Sequence, residues 1–352
     1  MIITLIGARP QFVKAAVVSH ALLNEGIEEI IIHSGQHYDE RMSNVFWDDL
    51  KIPKPLYNMQ IGSGSHAVQT AQMMIALEEI ILKQKKNIDG LLLYGDTNTT
   101  VAGSLTAAKM NIPVIHIEAG LRSFNREMPE EINRVVTDHL SALLFCPSES
   151  AVEQLKKEGI TSNVYNVGDV MYDSFITFSE LAPRNADISH IINGLSSITL
   201  LTLHRPVNTD NAEVLQQIIM QLGSLPTHLI WPVHPRNRVH MEKLRIPGNI
   251  KMIEPLSYFE MLLLLEKCEK VITDSGGLQK EAYWAKKPCI TIRGETEWIE
   301  TLEGDWNQLY SVVSNSLGDK FRKGPTSPWM PLYGNGNASE RIAQIIKDKF
   351  CQ

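Results

Sequence analysis

The sequence is short of several things that would narrow its function early. It holds four cysteines, Cys146, Cys268, Cys289 and Cys351, widely scattered and mostly set in apolar segments. That usage excludes a disulfide framework and a zinc cluster, and reads as buried reduced thiols. There is no block of Lys and Arg and the formal net charge is −7, so nucleic acid and anionic membrane are not expected partners. No apolar run approaches a membrane span; Met261–Leu265 is far too short. The chain starts on a strand-like run with no basic leader or cleavage site, and the expected compartment is the cytoplasm.

Apolar residues make up 43% of the 352, enough for two cores of ordinary size. Short runs rich in Ile, Leu and Val recur with helical stretches between them. After residues 2–7 these are Glu29–His33, Gly90–Tyr94, Val114–Ile117 and Leu143–Phe145. The second half continues with Ile198–Leu203, His228–Trp231, Lys251–Ile253, Val271–Thr273 and Cys289–Ile292. The runs do not alternate, which predicts parallel strands covered on both faces. The fold class is therefore α/β, with two doubly wound, Rossmann-like sheets. A hinge is expected near residues 167–175, dividing a first domain at 1–168 from a second at 169–337. The tail, 338–352, reads as a helix that crosses back onto the first domain.

Ligands of open α/β sheets lie beyond the carboxyl ends of the strands. In Thr273-Asp274-Ser275-Gly276-Gly277, a β-branched run ends in Asp and Ser, and two glycines open a helix. Bare backbone N–H groups at a positive helix end make a site for phosphate, with Glu281 one to two turns on to meet hydroxyls. Gly7-Ala8-Arg9-Pro10 repeats the device at the first strand, with Pro10 suited to a helix start and Lys14 about a turn further. Two such sites suggest a ligand with two phosphates or a phosphate bridging two domains. Polar groups follow almost every other strand as well: Gln36 and His37, Asp96, Glu118, His204 and Arg205, His234 and Arg236. That concentration argues for an enzyme cleft between domains.

Other motifs have plainer readings. His116 and Glu118 alternate and would share one face, but no third ligand stands at a familiar spacing, and no metal is expected. Gly62-Ser63-Gly64-Ser65-His66 follows a proline-containing loop instead of a strand, and reads as a helix start. Met128-Pro129-Glu130-Glu131 is a good helix-capping pattern in which only context gives Glu131 or Arg134 a task.

Taken in order, Arg9-Pro10, Gly95-Asp96-Thr97, residues 116–122 (HIEAGLR), Pro129-Glu130-Glu131, Asn133-Arg134, His204-Arg205 and Thr273 to Gly277 form a specific set. By these motifs, which cover nearly the whole chain and end in residues 331–338 (PLYGNGNA), the sequence resembles the UDP-N-acetylglucosamine 2-epimerases. The resemblance implies a two-domain GT-B-type fold with a UDP-sugar in the interdomain cleft, no cofactor and no metal, and a homodimer. It implies catalytic roles for Asp96, Glu118, Glu131 and His204. Arg9, His204, Ser275, Gly276 and Gly277 would bind the diphosphate, Glu281 the ribose, and Lys14 and Arg134 the sugar side. Gln36, Arg205 and His234 match positions that bind an activating second UDP-sugar in some relatives.

The implied chemistry explains why carboxylates are needed. C2 of an N-acetylhexosamine is not next to a carbonyl, so its proton is not removed and returned directly. Loss of UDP from C1 with the C2 proton gives a 2-acetamidoglycal, and re-addition from the other face inverts C2. Acid and base must flank the ring, and neighbouring carboxylates push their pKa values apart. Two departures stand out. Gln11 replaces the Glu of many relatives, and Trp298-Ile299 replaces their Arg-Pro in Thr296-Glu297-Trp298-Ile299-Glu300, removing an arginine from the sugar region. This version resembles the branch acting on UDP-2,3-diacetamido-2,3-dideoxyglucuronic acid in surface polysaccharide synthesis. A hydrolysing epimerase, a GT-B glycosyltransferase and a silent UDP-sugar sensor are the other readings; the last two do not need Asp96, Glu118 and Glu131 together.

Overall fold

The computed structural model describes residues 1–35, 53–233, 244–314 and 317–350. Thirteen strands are described, numbered β1 to β13 in chain order, and all fall into two sheets whose pairings are parallel. The chain divides into two compact units, residues 1–174 with 331 onward, and Phe175–Met330. Residues 169–174 and 331–337 thus lie with the first unit.

In the first unit the strands are β1 Ile2–Ile6, β2 Glu29–His33, β3 Tyr57–Asn58, β4 Gly90–Tyr94, β5 Val114–Ile117, β6 Leu143–Cys146 and β7 Val164–Asn166. They lie in the order β3-β2-β1-β4-β5-β6-β7. The central strands are rich in Ile and Leu because helices cover both faces; β1 and β4 are buried at every residue. The order reverses between β1 and β4. Two chains leaving that point in opposite directions open a crevice above the strand ends. Helix Arg9–Asn24 starts above β1, helix Asn98–Lys109 above β4, and helix Pro129–Leu140 follows β5. The tail helix Ala338–Phe350 packs on helix Arg9–Asn24 through buried Ile342 and Ile346, and Lys347 pairs with Glu25 at 2.8 Å.

The second unit repeats the plan. Its strands are β8 Ile198–Thr202, β9 His228–Pro232, β10 Ile250–Ile253, β11 Lys270–Thr273, β12 Cys289–Thr291 and β13 Asn307–Leu309. Their order is β10-β9-β8-β11-β12-β13, with the reversal between β8 and β11. Leu201, Trp231, Ile272 and Ile290 from four of these strands meet Leu215, Ile218 and Leu222 of helix Ala212–Gly223 in one core. Helix Gly276–Trp284 begins directly above β11. Among the described residues, Asp96 and Glu118 in the first unit and His204 and Ser275 in the second follow strands at or next to a switch point.

Candidate active site

In the first unit Asp96 and Glu118 lie two and one residues past the ends of the adjacent strands β4 and β5. Gly95 separates them. It has a left-handed φ of 63°, and a Cβ on it would stand 3.1 Å from Glu118 Oε2 and 3.7 Å from Lys14 Nζ. Only glycine gives both this turn and this approach. Glu118 itself has φ 73°, a region costing a non-glycine residue about 1–3 kcal/mol. Its backbone and that of Ala119 both donate to the Phe145 carbonyl, at 3.1 and 3.0 Å, which holds the strained turn. This turn also ends the alternation of β5. His116 and Glu118 do not present a common face, as the sequence pattern suggested: His116 bonds to Asp138, and Glu118 pairs with Lys14.

Each carboxylate has a cation. Lys14 from helix Arg9–Asn24 is ion-paired with Glu118, both side chains largely buried. Arg134 from helix Pro129–Leu140 reaches Asp96 Oδ2 at 2.5 Å and Glu131 Oε2 at 3.2 Å. Lys14 and Arg134, read from sequence as sugar contacts, thus lie first against the acids. Burial raises the Asp96 carboxyl, Arg134 opposes that rise, and the nearby Glu118 charge adds to it. Glu131 goes the other way. Burial would raise it, but Ser123 N–H at 2.8 Å, Phe124 N–H at 3.0 Å, the Ser123 hydroxyl and Arg134 together hold it below the usual range. Glu131 is thus held as an anion at the 123–124 loop, and the neighbouring Asp96 carboxyl is shifted the other way by its burial.

Two residues that the sequence analysis noted without giving a role orient this group. Gln11 is buried; its carbonyl accepts from Gly7 and Ala8 N–H at 2.8 and 2.9 Å, and its amide donates to the Tyr94 carbonyl at 2.8 Å. The departure at this position thus ties the β1 turn to the end of β4. Asn133 donates to the Asp96 carbonyl at 2.9 Å, and its signal was its place between Glu131 and Arg134. Arg9 begins its helix, but its side chain lies outside the described residues, as do Gln36 and His234.

In the second unit a capped helix start follows β11. Ser275 is the N-cap of helix Gly276–Trp284, its hydroxyl accepting from Leu278 N–H at 3.3 Å. The first N–H groups of a helix have no partner within it, so Gly276 and Gly277 stand where an anion is favoured. Gly276 needs no positive φ. Its reason is proximity: a Cβ there would meet Glu297 Oε1 at 2.8 Å. Glu297 in turn pairs with buried Arg293 at 3.0 Å. Asp274, which sequence reasoning placed in the motif but gave no role, is fully buried. It accepts from His204 N–H and Arg205 N–H at 3.0 and 2.9 Å and from Asn208 at 3.0 Å, and faces His204 Nδ1 at 3.1 Å. Burial alone would raise Asp274, yet these bonds hold it below the usual range. Asp274 so fixes the β8 turn and directs His204 Nε2 away from itself. Arg205, beside it, caps the short helix Pro206–Thr209.

Glu281 is pushed up to about 6 by burial, and accepts from the Tyr258 hydroxyl at 3.2 Å. Trp298 is 5% exposed, with the Lys280 ammonium 3.6 Å from its ring centroid. The aromatic that replaces the relatives' arginine is therefore a buried platform under a lysine, instead of a bulky wall.

Known proteins resemble this chain along almost its whole length. A family profile described as UDP-N-acetylglucosamine 2-epimerase matches residues 20–347. A Methanococcus maripaludis protein named a UDP-N-acetylglucosamine 2-epimerase homolog is 46% identical, with 99% of each chain covered. The UDP-2,3-diacetamido-2,3-dideoxy-D-glucuronate 2-epimerase of Pseudomonas aeruginosa is 42% identical over 98% of this chain and 99% of its own. Among solved structures, the Methanocaldococcus jannaschii UDP-GlcNAc 2-epimerase in complex with UDP-GlcNAc and UDP has a TM-score of 0.89 at 39% identity, covering 99% of this chain and 100% of that one. The pair of doubly wound units is of the GT-B type found in these neighbours.

Proposed function

Because the chain belongs to the UDP-N-acetylglucosamine 2-epimerase family, we propose that it inverts C2 of UDP-N-acetylglucosamine to give UDP-N-acetylmannosamine, without net hydrolysis. The reaction is an isomerisation of a nucleotide sugar. The C1–O bond to UDP breaks as the C2 proton passes to a carboxylate, leaving a 2-acetamidoglycal. UDP then re-adds at C1 while C2 takes a proton on its other face. No redox change occurs and no cofactor is called for. The observation that carries this reading is the pair of carboxylates, Asp96 and Glu118, held around Gly95 with a cation on each.

In this reading Asp96 and Glu118 exchange the proton at C2, and Glu131 orients Asp96 through Arg134. Arg9, His204, Ser275, Gly276 and Gly277 hold the departing diphosphate, and Glu281 takes the ribose hydroxyls. Incubation of UDP-N-acetylglucosamine in D₂O, followed by proton NMR, tests it. UDP-N-acetylmannosamine deuterated at C2 is expected. Free N-acetylmannosamine would move the protein to a hydrolysing reaction, and an unchanged substrate would reject this sugar.

A second reading, the same chemistry on UDP-2,3-diacetamido-2,3-dideoxyglucuronic acid, is favoured by the Lys280–Trp298 stack and by the Pseudomonas relative. A uronate needs a cation, and a lysine carried on an aromatic supplies one. The wider reading is a cytoplasmic homodimer making precursors of surface polysaccharide, with Arg205, Gln36 and His234 open to an activating UDP-sugar. No described helix is long and apolar enough to cross a membrane. Light scattering that returned a monomer mass would remove the dimer.

A further inference from the structure

Beneath the carboxylate loops lies a buried ionic network to which the reading above gives no task. His116 is wholly buried, with Nε2 2.8 Å from the Gly95 carbonyl oxygen and Nδ1 2.7 Å from Asp138 Oδ1. A carbonyl oxygen can only accept, so Nε2 carries a hydrogen. Burial would raise Asp138, but His116 and Arg122 outweigh it and keep Asp138 an anion. Oδ1 therefore accepts too, and both ring nitrogens donate. The other Asp138 oxygen takes the Gly120 N–H at 3.1 Å and Arg122 Nη1 at 2.7 Å. Arg122 then closes a two-point bond onto Glu158, at 2.8 and 2.7 Å. From β6, Cys146 also faces this anion, its thiol pushed up by burial.

The network touches both loops that carry the acids. Gly95 gives its N–H to Ile117 at 3.0 Å and its carbonyl to His116, so β5 clamps the turn just before Asp96 on both sides. Through Asp138, the same imidazole holds Gly120, two residues beyond Glu118. Few alternatives exist for that double duty. An amide side chain donates from one nitrogen only, and a lysine lacks the fixed opposed geometry.

We propose that His116 is a positioning residue: a doubly protonated imidazole that, with Asp138, locks the Asp96 turn to the Glu118 loop and so sets how the two carboxylates flank C2. The proposal rests on the epimerase reading and adds a residue to it. It also explains why His116 sits one residue before the strand end, where its ring spans from β4 to helix Pro129–Leu140.

Two measurements test it. Nitrogen NMR of the full chain labelled at histidine, with His116 assigned through its backbone, is expected to show both ring nitrogens protonated at neutral pH. A single N–H would overturn the proposal. This readout uses no substrate, so it stands even if the chain were to epimerise no UDP-sugar. In kinetics, His116→Gln is expected to lower kcat ~10–100-fold with KM near that of the parent, the loss typical of misplaced reacting groups. Rates are expressed per UDP-binding site, counted by calorimetry, which removes any loss of folded protein. An unchanged kcat per site would overturn the proposal. Should His116→Gln not fold, Asp138→Asn carries the kinetic arm with the same two outcomes.

Discussion

Asp96 and Glu118 do their proposed work as a matched pair, and the residue scale shows why neither is replaceable by its amide. Burial raises the Asp96 carboxyl, and Glu118 is ion-paired with Lys14. Asp96→Asn or Glu118→Gln is expected to cut kcat ~10²–10⁴-fold, the usual worth of a proton-transfer group. UDP affinity by calorimetry should stay near that of the parent, because the helix start at Ser275–Gly277 belongs to the other unit. Glu281 offers a separate test. Its carboxyl is raised to about 6, so its neutral form suits the fold and ionisation costs stability as pH climbs from the ordinary carboxylate range through that value. Glu281→Gln should therefore gain in melting temperature relative to the parent as pH rises through about 6. A difference independent of pH would contradict the assignment. Asp96, Glu118 and His204 stood out in the sequence as polar residues that follow buried strands. The tasks of Gln11, Asp274 and Asn133 did not, since nothing in a sequence distinguishes a side chain that binds a ligand from one that holds the neighbour in place.

At the scale of elements, the loop from Glu118 to Arg122 is the part under most constraint. Gly120 has φ 82°, and a Cβ on it would stand 2.4 Å from the Ala151 carbonyl oxygen. Gly120→Ala thus meets both a forbidden dihedral and backbone that cannot yield. It should lower stability in urea by at least about 1–3 kcal/mol. A loss under about 0.5 kcal/mol would mean that the loop relaxes freely. The motif showed that Gly120 mattered, but not why, because Ala151 is distant in sequence. The strands divide in the same way. The central ones were read to within a residue, since a run such as Leu91–Tyr94 has nowhere to go but a covered sheet. The edge strands β3, β7 and β13 escaped notice. They have two or three residues each, carry Asn or Gln, and form only because a neighbour offers a free edge. The strained turn at Glu118 was equally hidden: alternation continued in the sequence where the backbone had already left the strand.

For the molecule as a whole, the same plan is used twice, and each copy puts its chemistry at its own switch point. The first supplies paired carboxylates and cations, the second a helix start with an oriented histidine. Two doubly wound sheets were legible from the rhythm of strand and helix alone. The return of the tail was legible too, and its anchorage is now explicit: Asp173 caps the tail helix by accepting from Ser339 N–H and hydroxyl at 2.7 and 2.6 Å. The choice of sugar was less legible, because Trp298 is buried beneath Lys280 and residue type alone does not reveal that stack. The central claim is that C2 inverts by elimination and re-addition of UDP. It is tested most directly with UDP-N-acetylglucosamine carrying a heavy-oxygen label in the bridge between C1 and the β-phosphorus. Elimination frees that oxygen to rotate among the β-phosphate oxygens before UDP returns. The account predicts that phosphorus NMR will show the label moving into non-bridging positions as UDP-N-acetylmannosamine forms. Inversion at C2 with the label still wholly in the bridge would contradict it.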